Sequence, residues 1–215
     1  MIHIIWDWNG TLLDDVDLSF EVVNRLLVSC GYLPLQNKQD YRNVFQFPIY
    51  KYYQKAGFDL QKYDFSKLAQ SYMADYQPKS FQCQLRSDAL QALSLAEKYG
   101  FSQTILSASE KKNLMEQIDY FEIEKYMDSI YAIDNIEAAG KEQLAMQIKN
   151  EYPNDSLWII GDSMHDAQVA DAIGANCVLI KDGHENVERK YQGIVCESLL
   201  ESVKEIYERN YNSKK

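Results

Sequence analysis

Residues 2–15 read IHIIWDWNGTLLDD, a stretch that begins as a strand and stops being one abruptly. Ile2, Ile4, Ile5 and Trp6 make a short apolar run of the kind buried inside a parallel sheet. Asp7, Trp8, Asn9, Gly10 and Thr11 follow at once. An ionised carboxylate at the end of a buried strand is costly unless something compensates it. Gly10 lets the backbone turn sharply and approach a ligand. Asp7 is therefore expected in the crevice outside a strand's carboxyl end, where open α/β sheets bind ligands. The competing reading is a plain turn, since Asp, Asn and Gly are turn residues. The remainder of the chain decides between the two.

Downstream the pattern alternates. Leu18, Val22, Val23, Leu26, Leu27 and Cys30 recur at helical steps up to Gly31, with Asp14 and Asp15 suited to cap that helix. Helical pieces are expected over residues 38–56, split at Phe47-Pro48, and over residues 66–77, stopping before Pro78. Residues 16–80 thus contain no strand pattern, and they hold eight of the sixteen tyrosines. Tyrosine suits the half-wet surface of a small helical unit; the sharper reading makes some of these rings a substrate wall. From residue 88 on, helices alternate with apolar strands at 104–106, 129–133, 157–160 and 177–180, and a last helix starts at Leu199. Strands separated by helices of 10–15 residues imply a parallel sheet wound by right-handed crossovers. The fold class expected is α/β, a Rossmann-like sheet of residues 1–15 and 81–215 with an all-α cap of residues 16–80 inserted after the first strand.

Composition narrows the partners. A net charge of -10 with no basic stripe argues against nucleic acid. No segment approaches the roughly 18 apolar residues of a membrane span, and the early arrival of Asp7 argues against a signal peptide. The four cysteines are scattered without a CxxC pair, which fits a reducing cytosol rather than a disulfide framework. A cytoplasmic protein acting on a small molecule is the expectation; nothing in the sequence speaks to oligomeric state.

Parallel strands bring their carboxyl ends to one edge. Asp7, Ser107, Lys141, Asp162 and Asp166 should therefore converge. Three carboxylates with no arginine cluster call for a hard cation, and oxygen ligands point to Mg²⁺. A hydroxyl and an ammonium beside them would hold the oxygens of a phosphate.

These residues resemble the haloacid dehalogenase-like superfamily, most closely its phosphoglycolate-phosphatase-like branch. Asp7-Trp8-Asn9-Gly10-Thr11 looks like the family's first motif, Ser107 the second, Lys141 the third, and Gly161-Asp162-Ser163 through Asp166 the fourth. The resemblance implies a phosphatase in which Asp7 is the nucleophile and becomes an aspartyl phosphate. It implies Mg²⁺ held by Asp7, the Asn9 backbone carbonyl, Asp162 and Asp166. It also implies phosphate contacts from Ser107, Ala108, Lys141 and the Trp8–Thr11 loop. Specificity would come from the cap, where Arg42, Tyr50, Lys51 and Tyr53 are placed to reach the substrate's distal end. Phe47-Pro48 stands where this branch often has Gly-Pro.

One departure matters. Most phosphatases of the family carry Asp where this chain has Asn9, and that Asp is the general acid and base. An amide donates a hydrogen bond but exchanges no proton at neutral pH. Five readings follow. The enzyme favours leaving groups that need no proton, such as acyl or aryl phosphates; or another group substitutes, with His165, Asp14 and Asp15 as candidates; or a cap lysine (Lys51 or Lys55) supports carbon–phosphorus cleavage; or the fold binds a phosphorylated ligand with little turnover; or Asn9 was introduced by mutation. The competing reading of His165 is a solvent-facing residue in a helix's first turn, and that of Asp14 and Asp15 is capping.

Overall fold

The computed structural model describes residues 1–133 and 141–211. Its central element is the strand the sequence announces, β1 (Ile2–Trp6). Every residue of β1 is buried, because neighbouring strands and helices cover both faces. Ile4 and Trp6 face one apolar layer and Ile5 the other, the period of two that a strand imposes.

The other sheet strands are β4 (Ser102–Glu110), β5 (Ser129–Ile133), β6 (Ser156–Gly161), β7 (Asn176–Ile180) and β8 (Ile194–Cys196). The order across the sheet is β5-β4-β1-β6-β7-β8, and each neighbouring pair is parallel. Helices α5 (Ala89–Lys98), α6 (Lys111–Tyr120) and α9 (Leu199–Tyr211) contribute to the layer that holds Trp6. Helices α7 (Lys141–Glu151) and α8 (Met164–Ile173) form the layer that holds Ile5. The order reverses at β1, with β4 on one side and β6 on the other, so the first loop lies at the switch point where such sheets bind ligands.

Between β2 (Leu13–Asp14) and β3 (Gln84–Leu85), a two-residue antiparallel ribbon, the chain is helical: α1 (Val16–Ser29), α2 (Lys38–Val44), α3 (Ile49–Ala56) and α4 (Phe65–Ser80). These helices have their own apolar cluster around Val23, Leu27, Tyr41, Tyr52 and Tyr53. A ribbon so short carries no periodicity that sequence could reveal.

Several expectations need correction. Helix α4 does not stop before Pro78 but runs to Ser80. Pro78 falls in the last turn, where only one intrahelical bond is forfeited, and Ser80 Oγ donates to the Gln77 carbonyl at 2.7 Å. Strand β4 continues beyond Ser107 through an irregularity to Glu110. The expected start of α7 at Gly140 lies outside the described residues, as do residues 212–215. No described helix is long and apolar enough to cross a membrane.

Candidate active site

The β1 carboxyl end delivers Asp7, whose backbone N–H donates to the Ile160 carbonyl of β6 at 2.9 Å. Lys141, at the first position of α7, reaches across with its Nζ 2.6 Å from Asp7 Oδ1 and 2.6 Å from Asp166 Oδ1. All three groups are buried. Thr11 Oγ1 donates to Asp7 Oδ2 at 3.3 Å and so ties the loop back onto the carboxylate. Asp166 is held by a capping box at the start of α8: its Oδ2 accepts from Ser163 Oγ at 2.7 Å and from the Ser163 N–H at 3.1 Å. Asp162 Oδ2 accepts the His184 N–H at 2.5 Å. Carboxylate oxygens of Asp7, Asp162 and Asp166 all lie within 4.8 Å of one another.

Such crowding shapes their charge. Burial, with a smaller push from Asp166 and Asp162, raises the Asp7 carboxyl to about 7 against the pull of Lys141. Burial likewise raises Asp162 to about 6, although the neighbouring His184 opposes it. Asp166 goes the other way: burial alone would raise it, but Lys141 and the Ser163 hydroxyl bring it below the usual range. Lys141 keeps its proton, because the two carboxylates outweigh its own burial. One ammonium beside three carboxylates leaves a negative excess made wholly of oxygen donors, which suits a hard divalent cation.

The loop fits closely around this cluster. Gly10 has a φ of +71°, and a Cβ there would collide with Asp162 Oδ2 and the His184 ring. Arg86 Nε donates to the Gly10 carbonyl at 3.0 Å and fixes the turn from outside.

Asn9 is fully engaged. Its Nδ2 donates to Asp15 Oδ2 at 3.0 Å and to Tyr76 Oη at 2.8 Å, and its Oδ1 accepts from Ser109 Oγ at 2.6 Å. Asp15 is not the helix cap expected of it. It occupies the N-cap position of α1 but makes no side-chain cap bond. Its carboxylate instead turns inward, to the Gly10 N–H at 2.8 Å, Tyr76 Oη at 2.6 Å and His184 Nε2 at 3.1 Å. Asp14 lies exposed on β2.

His184 is the residue the sequence reading missed. It follows β7, so the strand-end rule applied to the last long strand would have found it. Its Nδ1 meets Tyr41 Oη at 2.7 Å and its ring stacks on Phe45. Burial alone would lower its pKa, but the Asp15 carboxylate raises it to about 9. The folded value thus lies above the ordinary 6.5. The imidazolium–Asp15 pair therefore contributes stability that is complete below pH 6.5 and is lost as pH rises through about 9. Metal-free protein should show a falling urea midpoint across that window. His184→Gln should flatten the fall between pH 7 and 9, above the range of Asp7 and Asp162; an unchanged decline would refute the assignment.

Over the cluster lies a cavity of about 170 Å³. Asp7, Asn9, Ala108, Lys141 and Asp162 line it, together with Tyr41, Tyr52, Tyr53, Tyr72 and Tyr76 of the helical segment. Five of the eight tyrosines are thus wall rather than half-wet surface; Tyr50 alone among the eight is largely exposed, at 43%. Ser107 is buried just behind, its Oγ accepting the Ser109 N–H at 3.0 Å.

Of the expected substrate contacts Asn9, Tyr53, Ala108 and Lys141 line this cavity, whereas Trp8, Gly10, Thr11, Arg42, Tyr50, Lys51 and Ser107 do not. Arg42 is spent elsewhere: its guanidinium donates to the Gly183 carbonyl at 3.0 Å and the Asp182 carbonyl at 3.1 Å, joining α2 to the loop after β7. The Trp8 side chain is core, with Nε1 donating to Gln117 Oε1 at 2.7 Å, so only its backbone is available to a phosphate. His165 is not solvent-facing but 8% exposed, stacked on Phe47 with centroids 4.3 Å apart. An aromatic before Pro48 thus joins the helical segment to α8.

Solved structures of other proteins share this fold. The protein from Clostridium acetobutylicum described as a predicted phosphatase superposes with a TM-score of 0.78 at 16% identity, covering 96% of this chain and 98% of its own. The haloacid dehalogenase-like protein SP0104 from Streptococcus pneumoniae gives 0.78 at 20% identity, with the same coverages of 96% and 98%. CbbY from Rhodobacter sphaeroides, solved with xylulose-(1,5)bisphosphate, gives 0.70 at 16% identity over 94% of this chain and 96% of its own. No curated protein sequence matches. The family model for haloacid dehalogenase-like hydrolases matches residues 4–180, and the chain belongs to that family.

Proposed function

We propose that the protein is a Mg²⁺-dependent phosphatase of small phosphorylated metabolites that works through an aspartyl phosphate on Asp7. Residues 16–80 act as a cap over a core of residues 1–15 and 81–215. The observation that carries this reading is the Lys141 ammonium bridging Asp7 and Asp166 beside Asp162, at one wall of a cavity that opens to solvent. Phosphorylated ligands suit such a floor, and CbbY, of similar fold, was solved in complex with a bisphosphate.

Asp7, Asp162 and Asp166, with the Asn9 carbonyl, would hold the metal. Bound there, Mg²⁺ would offset the charge on the phosphoryl group and on the carboxylates. In the first step an Asp7 carboxylate oxygen attacks phosphorus and the bond to the leaving oxygen breaks, the electron pair going with that oxygen. Lys141 stabilises the charge gathering on the equatorial oxygens, and the backbone of Ala108 and Ser109, backed by buried Ser107, would face them. In the second step water attacks phosphorus, releasing phosphate and the free carboxylate. Asn9 supplies no proton in either step, because its amide only donates hydrogen bonds. It positions the loop, and the reaction favours leaving groups stable as anions.

A second reading, ligand binding with little turnover, draws on the fully engaged Asn9 amide. Carbon–phosphorus cleavage has less support: Lys51 is exposed, Lys55 donates to the Asn43 carbonyl at 2.7 Å, and neither lines the cavity. Acid-quenched protein mixed with an aryl phosphate and Mg²⁺ should carry one phosphate on Asp7. Unmodified Asp7 at every quench time, together with no turnover, would favour the binding reading.

The metal assignment is tested apart from activity. At a concentration 100-fold above its dissociation constant Mg²⁺ should add about 2.7 kcal/mol, a Tm rise of roughly 5–10 °C at this chain length. Asp162→Asn should abolish most of that rise. A shift of equal size in the variant would remove Asp162 from the metal site.

A further inference from the structure

We infer that the substrate accepted here carries its phosphate on an uncharged, largely apolar group, with aryl esters the fitting class, and that a second anionic group is refused. The inference rests on the phosphatase reading for where the phosphate sits. The cavity has unlike walls. One is the Lys141–carboxylate cluster. The other is Phe45, Phe47, Ile49, Tyr53 and Met73, which offer rings and aliphatic carbon. An aromatic leaving group would gain stacking and apolar burial against it.

A distal carboxylate or second phosphate would find no counter-charge. Lys141 is the one lysine or arginine lining the cavity among the described residues, and it is already shared between Asp7 and Asp166. None of the cations of residues 16–80 lines the cavity. Arg42 holds Asp182 and Gly183, Arg25 and Lys79 pair with Asp75, and Lys38 pairs with Asp17. His184 is committed to Asp15 and Tyr41. The remaining lining ionisable groups, Asp15 and Glu110, are acidic. Neutral hydroxyls such as Tyr52 Oη line the space, but among the described residues no free cation does, so a second anion entering it forfeits more hydration than those hydroxyls return. The Asn9 amide points the same way by independent chemistry, since a phenolate departs without the proton that this amide cannot supply.

The test compares phenyl phosphate with para-carboxyphenyl phosphate on the Mg²⁺-loaded protein. The carboxylate makes the second the slightly better leaving group, so a preference for the first is the site's own. We expect kcat/KM for phenyl phosphate to be higher by at least about tenfold, the scale of 1.4 kcal/mol. Met73→Lys, which places an ammonium on the apolar wall at a half-buried position, should narrow that ratio. Asp7-dependent turnover with equal or greater kcat/KM for the carboxylated ester overturns the inference and leaves the phosphatase reading standing. Absence of Asp7-dependent turnover on either ester sinks the phosphatase reading alone. The preference is then read by calorimetry with benzylphosphonate and para-carboxybenzylphosphonate in Mg²⁺: tighter binding of the neutral ligand supports it, and equal or weaker binding overturns it.

Discussion

Asp7→Asn should lower turnover on every phosphate ester by a factor on the order of 10⁴ or more, while leaving a folded and, without metal, more stable protein. Both halves come from the same geometry. Asp7 is anchored by its backbone to Ile160 and by its side chain to Lys141 and Thr11, so an isosteric amide keeps the shape of the loop. An amide oxygen does not displace an alkoxide from phosphorus at any useful rate, so the nucleophile is gone. Stability moves the other way. Burial raises the Asp7 carboxyl in the folded state to about 7, above the ordinary 3.8. The folded protein therefore binds that proton more tightly than the unfolded chain, and stability falls as pH rises from 3.8 through about 7. Asn does not titrate and escapes the penalty. At pH 8 in chelator the variant should melt above the parent, and Mg²⁺ should narrow or reverse the gap, because only the parent offers the metal three carboxylates. Thermal melts with and without Mg²⁺ beside an assay on aryl phosphate decide the matter. Residual turnover within about tenfold of the parent would remove Asp7 from the nucleophile's role, a loss far below what nucleophile removal costs.

How far the site was legible in sequence depended on how much of it is carried by strand ends. Buried strands announce themselves as short apolar runs, and a parallel sheet must align their carboxyl ends. The sequence therefore brings Asp7, Lys141, Asp162 and Asp166 to one edge, and the structure joins them through Lys141 and the capping box at Ser163. What stayed hidden is set by side-chain direction rather than by element order. Asp15 stands where a cap belongs, and only tertiary packing turns its carboxylate toward His184 and Tyr76. Arg42 sits on a helix near the cavity, yet the free carbonyls of Asp182 and Gly183 claim its guanidinium. The tyrosines of residues 16–80 had two explanations of equal chemistry. The side that turned inward could not be read from a segment whose short helices show only a few turns of periodicity.

Asn9→Asp should raise kcat/KM on alkyl phosphates by roughly 10²-fold and on nitrophenyl phosphate far less, the difference being the worth of a general acid. The site is built to make that substitution effective. Asn9 Nδ2 lies 3.0 Å from Asp15 Oδ2, so an introduced carboxyl would face a carboxylate at hydrogen-bond distance. Two such groups do not both ionise there, and the pair retains one proton to higher pH than either group alone. Tyr76 and Ser109, which now satisfy the amide, have hydroxyls that rotate to serve an acid instead. The parameter matters. kcat/KM covers steps only as far as departure of the leaving group, where the proton is needed by an alkoxide and not by a nitrophenolate. In the proposed mechanism kcat also includes attack of water on the aspartyl phosphate, which a carboxylate would assist for all substrates alike. A gain confined to alkyl esters in kcat/KM, joined to a uniform gain in kcat, is the expected pattern. Equal gains in kcat/KM on both esters would show that Asn9 limits the reaction through loop geometry rather than through the missing proton. The substitution also replaces a good hydrogen bond by a shared-proton pair, so a stability loss of about 1–3 kcal/mol should accompany the gain in rate. Activity bought at that cost would explain why a hydrolase whose leaving groups depart unaided can keep an amide at this position.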